Sequence, residues 1–178
     1  SFDFALSATA LSSELRSTLT STDAAGNVSV VAGIEEGKRL PTVPEFQAAA
    51  AATYRWQVAS GRAGYFTGVY QHVGSRYTQI GDQAAGFGTV NLNSFGANGI
   101  GAPFTQNTFT FDPELPAYNI INLRLGFLVN NWDAALFVNN VTDEIAYLAL
   151  DQERGTRARV GYLVNQPRTI GISTRVNF

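Results

Sequence analysis

Arg168-Thr169-Ile170-Gly171-Ile172-Ser173-Thr174-Arg175-Val176-Asn177-Phe178 decides the reading of the fold. Ile170, Ile172, Thr174, Val176 and Phe178 share one parity, while Thr169, Gly171, Ser173, Arg175 and Asn177 share the other. Successive side chains of an extended chain point to opposite sides, so this stretch predicts a strand with one apolar and one polar face. The same pattern recurs upstream. Over Asn119 to Asn130, Ile121, Leu123, Leu125, Phe127 and Val129 oppose Ile120, Asn122, Arg124 and Gly126. Over Phe46 to Gln57, Phe46, Ala48, Ala50, Ala52, Tyr54 and Trp56 oppose Gln47, Ala49, Ala51, Thr53 and Arg55. Over Phe2 to Ala10, Phe2, Phe4, Leu6, Ala8 and Ala10 oppose Asp3, Ala5, Ser7 and Thr9.

Two further segments, Tyr65 to Tyr77 and Trp132 to Val141, are strand-like but mix the parities; Phe137 falls on the polar side of the second. The alanine run Ala48 to Ala52 favours a helix by propensity alone. The alternation, the flanking aromatics and Pro44 outweigh it. Short connections at Ala59 to Gly64 and at Asn130-Asn131 alternate with long ones at Leu11 to Glu45, Thr78 to Ala117 and Thr142 to Pro167. Such alternation is how an up-and-down barrel in an outer membrane is built, with the long loops outside the cell. Three structureless loops of this length would be unusual in a compact soluble domain. Each predicted strand reaches the ~9–11 residues that span a bilayer at a tilt. A mean hydropathy of −0.02 agrees, because apolar and polar residues alternate along such strands and cancel.

With the short turns at the bottom, Phe2, Trp56, Tyr65, Phe66, Trp132 and Phe178 are expected at the lower rim, and Tyr77, Tyr118 and Tyr147 near the upper one. Amphipathic rings belong at the two membrane interfaces. The charged residues Asp3, Arg55, Arg124, Asp133 and Arg175 all take the polar parity. The inverse facing would put several charges in lipid, at roughly 2–4 kcal/mol for each Arg near the midplane.

Composition excludes several classes. The net charge is −2, without the basic excess of a nucleic-acid surface. With no cysteine there is no disulfide, thiolate ligand or thiol nucleophile. There is also no methionine, and the pattern opens abruptly at Ser1-Phe2-Asp3-Phe4. Six antiparallel strands leave two unpaired edges, which hydrocarbon does not tolerate. Either the chain continues N-terminally into further strands, or several copies close a shared barrel; the first also accounts for the missing methionine and the abrupt opening and is the expectation.

Short signatures in a characteristic order add to this. They are Gly37-Lys38-Arg39-Leu40-Pro41-Thr42-Val43-Pro44, Tyr54-Arg55-Trp56, Gly74-Ser75-Arg76-Tyr77, Pro116-Ala117-Tyr118 and Asn122-Leu123-Arg124-Leu125-Gly126. Trp132 through Phe137-Val138-Asn139-Asn140-Val141-Thr142-Asp143-Glu144, Pro167-Arg168-Thr169-Ile170-Gly171 and the terminal Phe178 complete the set. Together they resemble the C-terminal region of TonB-dependent receptors. The resemblance implies an all-β fold, with residues 1–178 as the last six strands of a 22-stranded barrel, the size that encloses a plug. It also implies a bacterial outer-membrane location and energised uptake of a small-molecule ligand through the TonB complex, contacted by an N-terminal region outside this chain. Siderophores, corrinoids and oligosaccharides are all compatible ligands. The resemblance further implies recognition of the last strand by the barrel-assembly machinery, through Phe178, Val176, Ile172 and Ile170.

Candidate sites each have a plainer alternative. Asp151, Arg154, Arg157 and Arg159 form the most polar stretch and could hold an anionic ligand by forked hydrogen bonds; a solvated loop touching outer-membrane lipid is the plainer reading. Arg55, Arg124 and Arg175 are expected to face the lumen or plug. His72, the only histidine, could serve a hydrolase with Ser75, but no neighbouring carboxylate orients it. Asp143-Glu144 lacks the run of oxygen ligands a cation needs. The glycines from Gly96 to Gly101 fail the strand-before, helix-after context of a dinucleotide fingerprint. No cofactor, metal or nucleic-acid partner is expected. A passive porin and a soluble all-β binding module are the competing readings of the same strands.

Overall fold

The structure, a computed structural model, describes residues 1–91, 108–153 and 159–177. In chain order its strands begin with β1 (Phe2–Ala10), β2 (Thr20–Thr22), β3 (Val28–Val30), β4 (Phe46–Ala59), β5 (Arg62–Val73) and β6 (Arg76–Tyr77). A short 3-10 helix (Ile80–Gln83) leads to β7 (Thr89–Asn91), β8 (Thr108–Thr110) and β9 (Glu114–Leu115). The chain continues as β10 (Tyr118–Val129), β11 (Trp132–Asn139), β12 (Tyr147–Glu153), β13 (Arg159–Val164) and β14 (Thr169–Val176).

Six of these strands form one antiparallel sheet in the order β1-β4-β5-β10-β11-β14, so each pairs with its sequence neighbour and β1 and β14 are the edges. These are the six segments that alternate in the sequence. The alanine run lies inside β4, paired on one side to β1 and on the other to β5. Two ladders of backbone hydrogen bonds there outweigh the few tenths of a kcal/mol per residue that favour alanine in a helix.

Cross-strand partners share a face, so the register assigns every side chain. One face carries Asp3, Thr53, Thr67, Arg124, Phe137 and Gly171 in one row, and Arg55, Tyr65, Gly126, Ala135 and Ser173 in the next. The other face carries Phe4, Ala52, Gly68, Leu123, Val138 and Ile170, then Tyr54, Phe66, Leu125, Leu136 and Ile172. Over these rows the second face is apolar across all six strands and open to the surroundings; Ile172 is 74% exposed. Water-soluble monomers rarely present so continuous an apolar surface.

The mixed parities of two segments have a local cause on the polar face. Phe137 does point there, and its ring lies over Gly171; a Cβ at Gly171 would collide with it. The Tyr65 ring lies over Gly126 in the same way. Each bulky ring is housed by a glycine on the next strand. Tyr65 therefore stands at the height of the lower rim but on the polar face, outside the apolar belt expected there. At that rim the apolar face holds Phe2, Phe66 and Trp132, with Trp56 stacked on Tyr54 at 5.8 Å and edge-on to Phe127 at 6.3 Å.

Two boundaries also differ from the pattern. The segment expected at Tyr65–Tyr77 is strand from Arg62 to Val73, and Arg76-Tyr77 pairs separately with Glu114-Leu115. The break falls at Gly74, whose N–H donates to Phe46 O at 2.8 Å; a Cβ there would also meet that oxygen at 2.8 Å. The segment expected at Trp132–Val141 stops at Asn139, because Asn140 turns left-handed with φ of 52°. Both short turns are two residues, Ser60-Gly61 and Asn130-Asn131, with positive φ at Gly61 and Asn130.

The long connections were expected to be structureless, and they are not. Hairpins β2–β3, β7–β8 and β12–β13 and the β6–β9 pair stand at one end of the sheet. The buried apolar residues gather there: Val90, Leu115, Ala146 and Leu150, with Val73 at that end of β5. Among the described residues the rest of the wall buries Ala135 and, under rings, Gly64 and Gly126. Both faces of the sheet are left largely uncovered, so the hydrophobic core of the described residues lies mainly in the connections.

Candidate functional site

Two regions hold concentrated polar chemistry: the polar face of the wall and the layer of packed connections. On the wall, the Arg124 Nε donates to the Tyr65 hydroxyl at 2.9 Å, and that hydroxyl donates to Asp133 Oδ1 at 3.0 Å. Arg124 Nη2 donates to Ser173 Oγ at 2.7 Å. One chain of bonds thus ties β5, β10, β11 and β14 together. Arg55 pairs with Asp3, and Thr53 and Thr67 share a hydrogen bond of 2.9 Å, joining β1, β4 and β5. Arg175 lies opposite Asp133 on the same face. All three arginines expected on the polar side are therefore placed there.

In the layer of connections Arg39 is the hub. Its Nη2 donates to Ser75 O at 2.6 Å, Nη1 meets Glu114 Oε1 at 3.3 Å, and the guanidinium lies 5.8 Å from the centre of the Tyr77 ring. Burial, with Glu114 next, pushes the Tyr77 phenol above its ordinary value of 10.0, against the opposing pull of Arg39. Arg76 is 7% exposed; it donates to Tyr147 O and Leu148 O and lies over the Tyr118 ring at 5.4 Å. Tyr147 itself packs on Tyr162 at 4.6 Å. Of the three tyrosines expected as an upper membrane belt, Tyr77 and Tyr118 thus lie against Arg39 and Arg76, and Tyr147 packs on Tyr162 of the same hairpin. Buried Asn140 closes the β11 end: its Oδ1 accepts from Glu144 N at 2.9 Å, and its Nδ2 donates to Glu144 O and Gln166 O.

A cleft of about 750 Å³ opens in this layer between the first two long connections, lined by Ala32, Ile34, Pro41, Ile80, Ala84 and Phe87 among others. Its size suits a small molecule, and its lining is mainly apolar. Of the polar stretch proposed from sequence, Asp151 is exposed on β12 and the backbone of Arg159 begins β13, while Arg154 and Arg157 lie outside the described residues. Phe178 lies outside them too; Ile170 and Ile172 face the apolar side, and Val176 follows them in parity. The Gly96–Gly101 stretch is likewise outside them.

Asp143 accepts from the Arg168 backbone N–H at 2.8 Å, which makes it a turn residue. Among the described residues no group of three or more His, Asp or Glu could hold a metal ion. His72 contacts Asn119 through Nδ1, and Phe46 through its ring, so no carboxylate or serine orients it. Sequence reasoning quoted Arg39 and Arg76 only as parts of motifs. Their partners are 75 and 71 residues distant, so no local pattern announces them.

Residues 2–141 match the family described as TonB dependent receptor-like, beta-barrel. The chain belongs to that family. The sheet is accordingly outer-membrane barrel wall, its apolar face towards lipid and its polar face towards the lumen. No curated protein sequence matches the chain. Its fold resembles the ferric yersiniabactin uptake receptor FyuA from Yersinia pestis, with a TM-score of 0.63 and 17% identity over 99% of this chain and 21% of that one. It also resembles the siderophore receptor PiuA from Acinetobacter baumannii, with a TM-score of 0.56 and 19% identity over 97% of this chain and 19% of that one. The chain therefore spans about a fifth of the length of either receptor.

Proposed function

We propose that residues 1–178 form the C-terminal part of a 22-stranded, plugged barrel that takes up a scarce nutrient across the outer membrane at the expense of TonB-transmitted energy. The observation that carries this reading is the asymmetry of the sheet. Two-residue turns close one end, and a packed, cleft-bearing layer of hairpins covers the other. That layer is the proposed place for an extracellular ligand, with the polar stretch of Asp151, Arg154, Arg157 and Arg159 contributing to anion recognition. Arg55, Arg124 and Arg175 face the plug. Ile170, Ile172, Val176 and Phe178 present the terminal strand to the assembly machinery. The TonB contact belongs to a region N-terminal to this chain.

The role is transport, with no reaction centre. Ferric chelates come first among ligands to test, since the similar solved structures are a ferric yersiniabactin uptake receptor and a siderophore receptor. Corrinoids and oligosaccharides follow. The test is uptake of labelled ferric siderophores by cells with the gene intact, with the gene deleted, and with TonB inactivated. Uptake lost in both altered strains supports energised transport. Uptake that needs the gene but survives TonB loss would replace it with a passive channel.

A further inference from the structure

The lipid-facing side of the wall carries one polar cluster among the described residues of its upper half. His72 and Asn119 are cross-strand partners at the upper ends of β5 and β10, and Tyr70 sits two residues below His72 on the same face. The Tyr70 hydroxyl donates to Asn119 Oδ1 at 2.7 Å, and His72 Nδ1 lies 2.9 Å from the same oxygen. With the hydroxyl and the imidazole N–H both directed at Oδ1, its two lone pairs are used. The Asn119 Nδ2 amino group is left as a donor without a partner among the described residues. The Phe46 ring, 5.6 Å from the imidazole, holds the His72 side chain in place. In hydrocarbon an amide donor without a partner costs several kcal/mol. At headgroup height it meets an acceptor.

The height fits. Asn119 lies about ten residues up β10 from Val129, which is roughly 34 Å of strand and about 25 Å of vertical rise at a 40° tilt. That is the thickness of an outer-membrane apolar band. Directly beneath the cluster a groove of about 260 Å³ runs down the same face. Its floor includes Ala50, Ala52 and Gly68, and Phe4, Tyr70 and Ile121 flank it. Its lining is almost wholly apolar. Donors stand at the top and a hydrocarbon-lined channel lies below, which matches a lipid in both polarity and order.

We infer that Asn119, held in position by His72 and Tyr70, binds the phosphate of an outer-leaflet lipid whose acyl chain lies in the groove over Ala50, Ala52 and Gly68. Asn119 Nδ2 donates to a phosphate oxygen. His72 and Tyr70 fix the Asn119 amide so that this donor points out of the cluster. The inference rests on the barrel reading of the wall, and the experiment separates the two.

The full-length receptor is reconstituted in nanodiscs of phosphatidylglycerol, or of digalactosyl diacylglycerol with the same acyl chains. Retained lipid is then counted by native mass spectrometry. The wild type is expected to retain phosphatidylglycerol well above the phosphate-free lipid. Asn119→Leu should lower that retention by about ten-fold, the size of one lost hydrogen bond to a charged group, and His72→Ala, which frees the Asn119 side chain, should lower it less. Ala52→Phe, which fills the groove and leaves the polar cluster intact, should lower it as well. Equal retention of both lipids, or retention unchanged in all three variants, overturns the site. Heat-modifiable gel mobility is recorded for each protein. A wild type that never inserts as a folded barrel refutes the wall assignment instead.

Discussion

The side chain of Gln83 grips the backbone of Arg39 from both sides. Its Oε1 accepts from Arg39 N at 2.9 Å, and its Nε2 donates to Arg39 O at 2.8 Å. A side-chain amide thus does what a neighbouring strand would do, and it locks the first long connection to the second across 44 residues of sequence. Arg39 completes the clasp through Ser75, Glu114 and Tyr77. Gln83→Ala leaves both backbone groups unpaired in a half-buried place, a local cost of about 1–3 kcal/mol. The expected result is faster amide hydrogen exchange at Arg39 and easier proteolysis between residues 11 and 45, with unchanged barrel mobility on gels. Unchanged exchange at Arg39 would show that the clasp is idle.

Tyr65 relays between a cation and an anion on the lumen face, accepting from Arg124 and donating to Asp133. Tyr65→Phe keeps the ring over Gly126 and removes only the oxygen. Arg124 Nε and Asp133 Oδ1 then each lose a partner, with an expected loss of about 1–3 kcal/mol in urea unfolding from bilayers. Arg124→Lys should not restore the network, because an ammonium cannot place two directed donors on the Tyr65 and Ser173 oxygens at once. A double-mutant cycle between Tyr65 and Asp133 checks the coupling. A zero coupling energy would dismiss the relay.

Glycines under rings should be the least replaceable small residues in the wall. At Gly126 and Gly171 an added Cβ would enter the space of the Tyr65 and Phe137 rings, whereas at Gly161 it would meet nothing within 4 Å. Gly126→Ala and Gly171→Ala are expected to cost about 1–3 kcal/mol by overpacking, or to slow assembly, and Gly161→Ala to be nearly neutral. Unfolding in urea distinguishes the three. Equal tolerance at all three sites would mean that the rings move aside freely.

The contrast between wall and connections explains what could be read from the sequence. A wall strand is specified by its own neighbours two residues apart, because one face meets lipid along its whole length. The pattern around Leu123, Leu125 and Ile172 therefore reveals both the strand and its facing. It blurs at Tyr65 and Phe137, where a ring on the lumen face is housed by a glycine on another strand, and at His72 and Asn119, which take the apolar face. The loop layer is specified by contacts such as Arg76 to Tyr147 and Leu150 N to Thr78 Oγ1, each spanning more than 70 residues. Those contacts leave no periodicity in the local sequence. The hairpins β2–β3 and β7–β8, of three-residue strands, are too short to alternate recognisably.

Leu125 and Arg124 are adjacent in sequence and belong to different solvents. Leu125→Arg places a cation on the lipid face in the central part of β10, with an expected cost of about 2–4 kcal/mol in bilayer folding. Single cysteines at Leu125 and Ile172 should react with a membrane-soluble maleimide, and one at Ser173 with an aqueous reagent only. The reverse pattern would exchange lipid and lumen for the whole sheet.

The β2–β3 hairpin is predicted to be acid-sensitive at its turn. Asp23 accepts from Asn27 Nδ2 and from the Asn27 backbone N–H, both at 2.9 Å, and from the Ala25 N–H at 2.8 Å. The Asn27 bonds are the leading cause that holds its carboxyl below the ordinary value of 3.8. A lowered value means that the folded turn binds a proton less readily than the unfolded one. Its contribution is complete above the ordinary value and is lost as pH falls below it, through the folded value. Hydrogen exchange at Ala25 and Asn27 should therefore lose protection as pH falls below about 3.8, relative to the same amides in Asp23→Asn, whose turn has no carboxylate to protonate. If the wild type and the Asn variant lost protection in parallel, the carboxylate would not be what organises this turn.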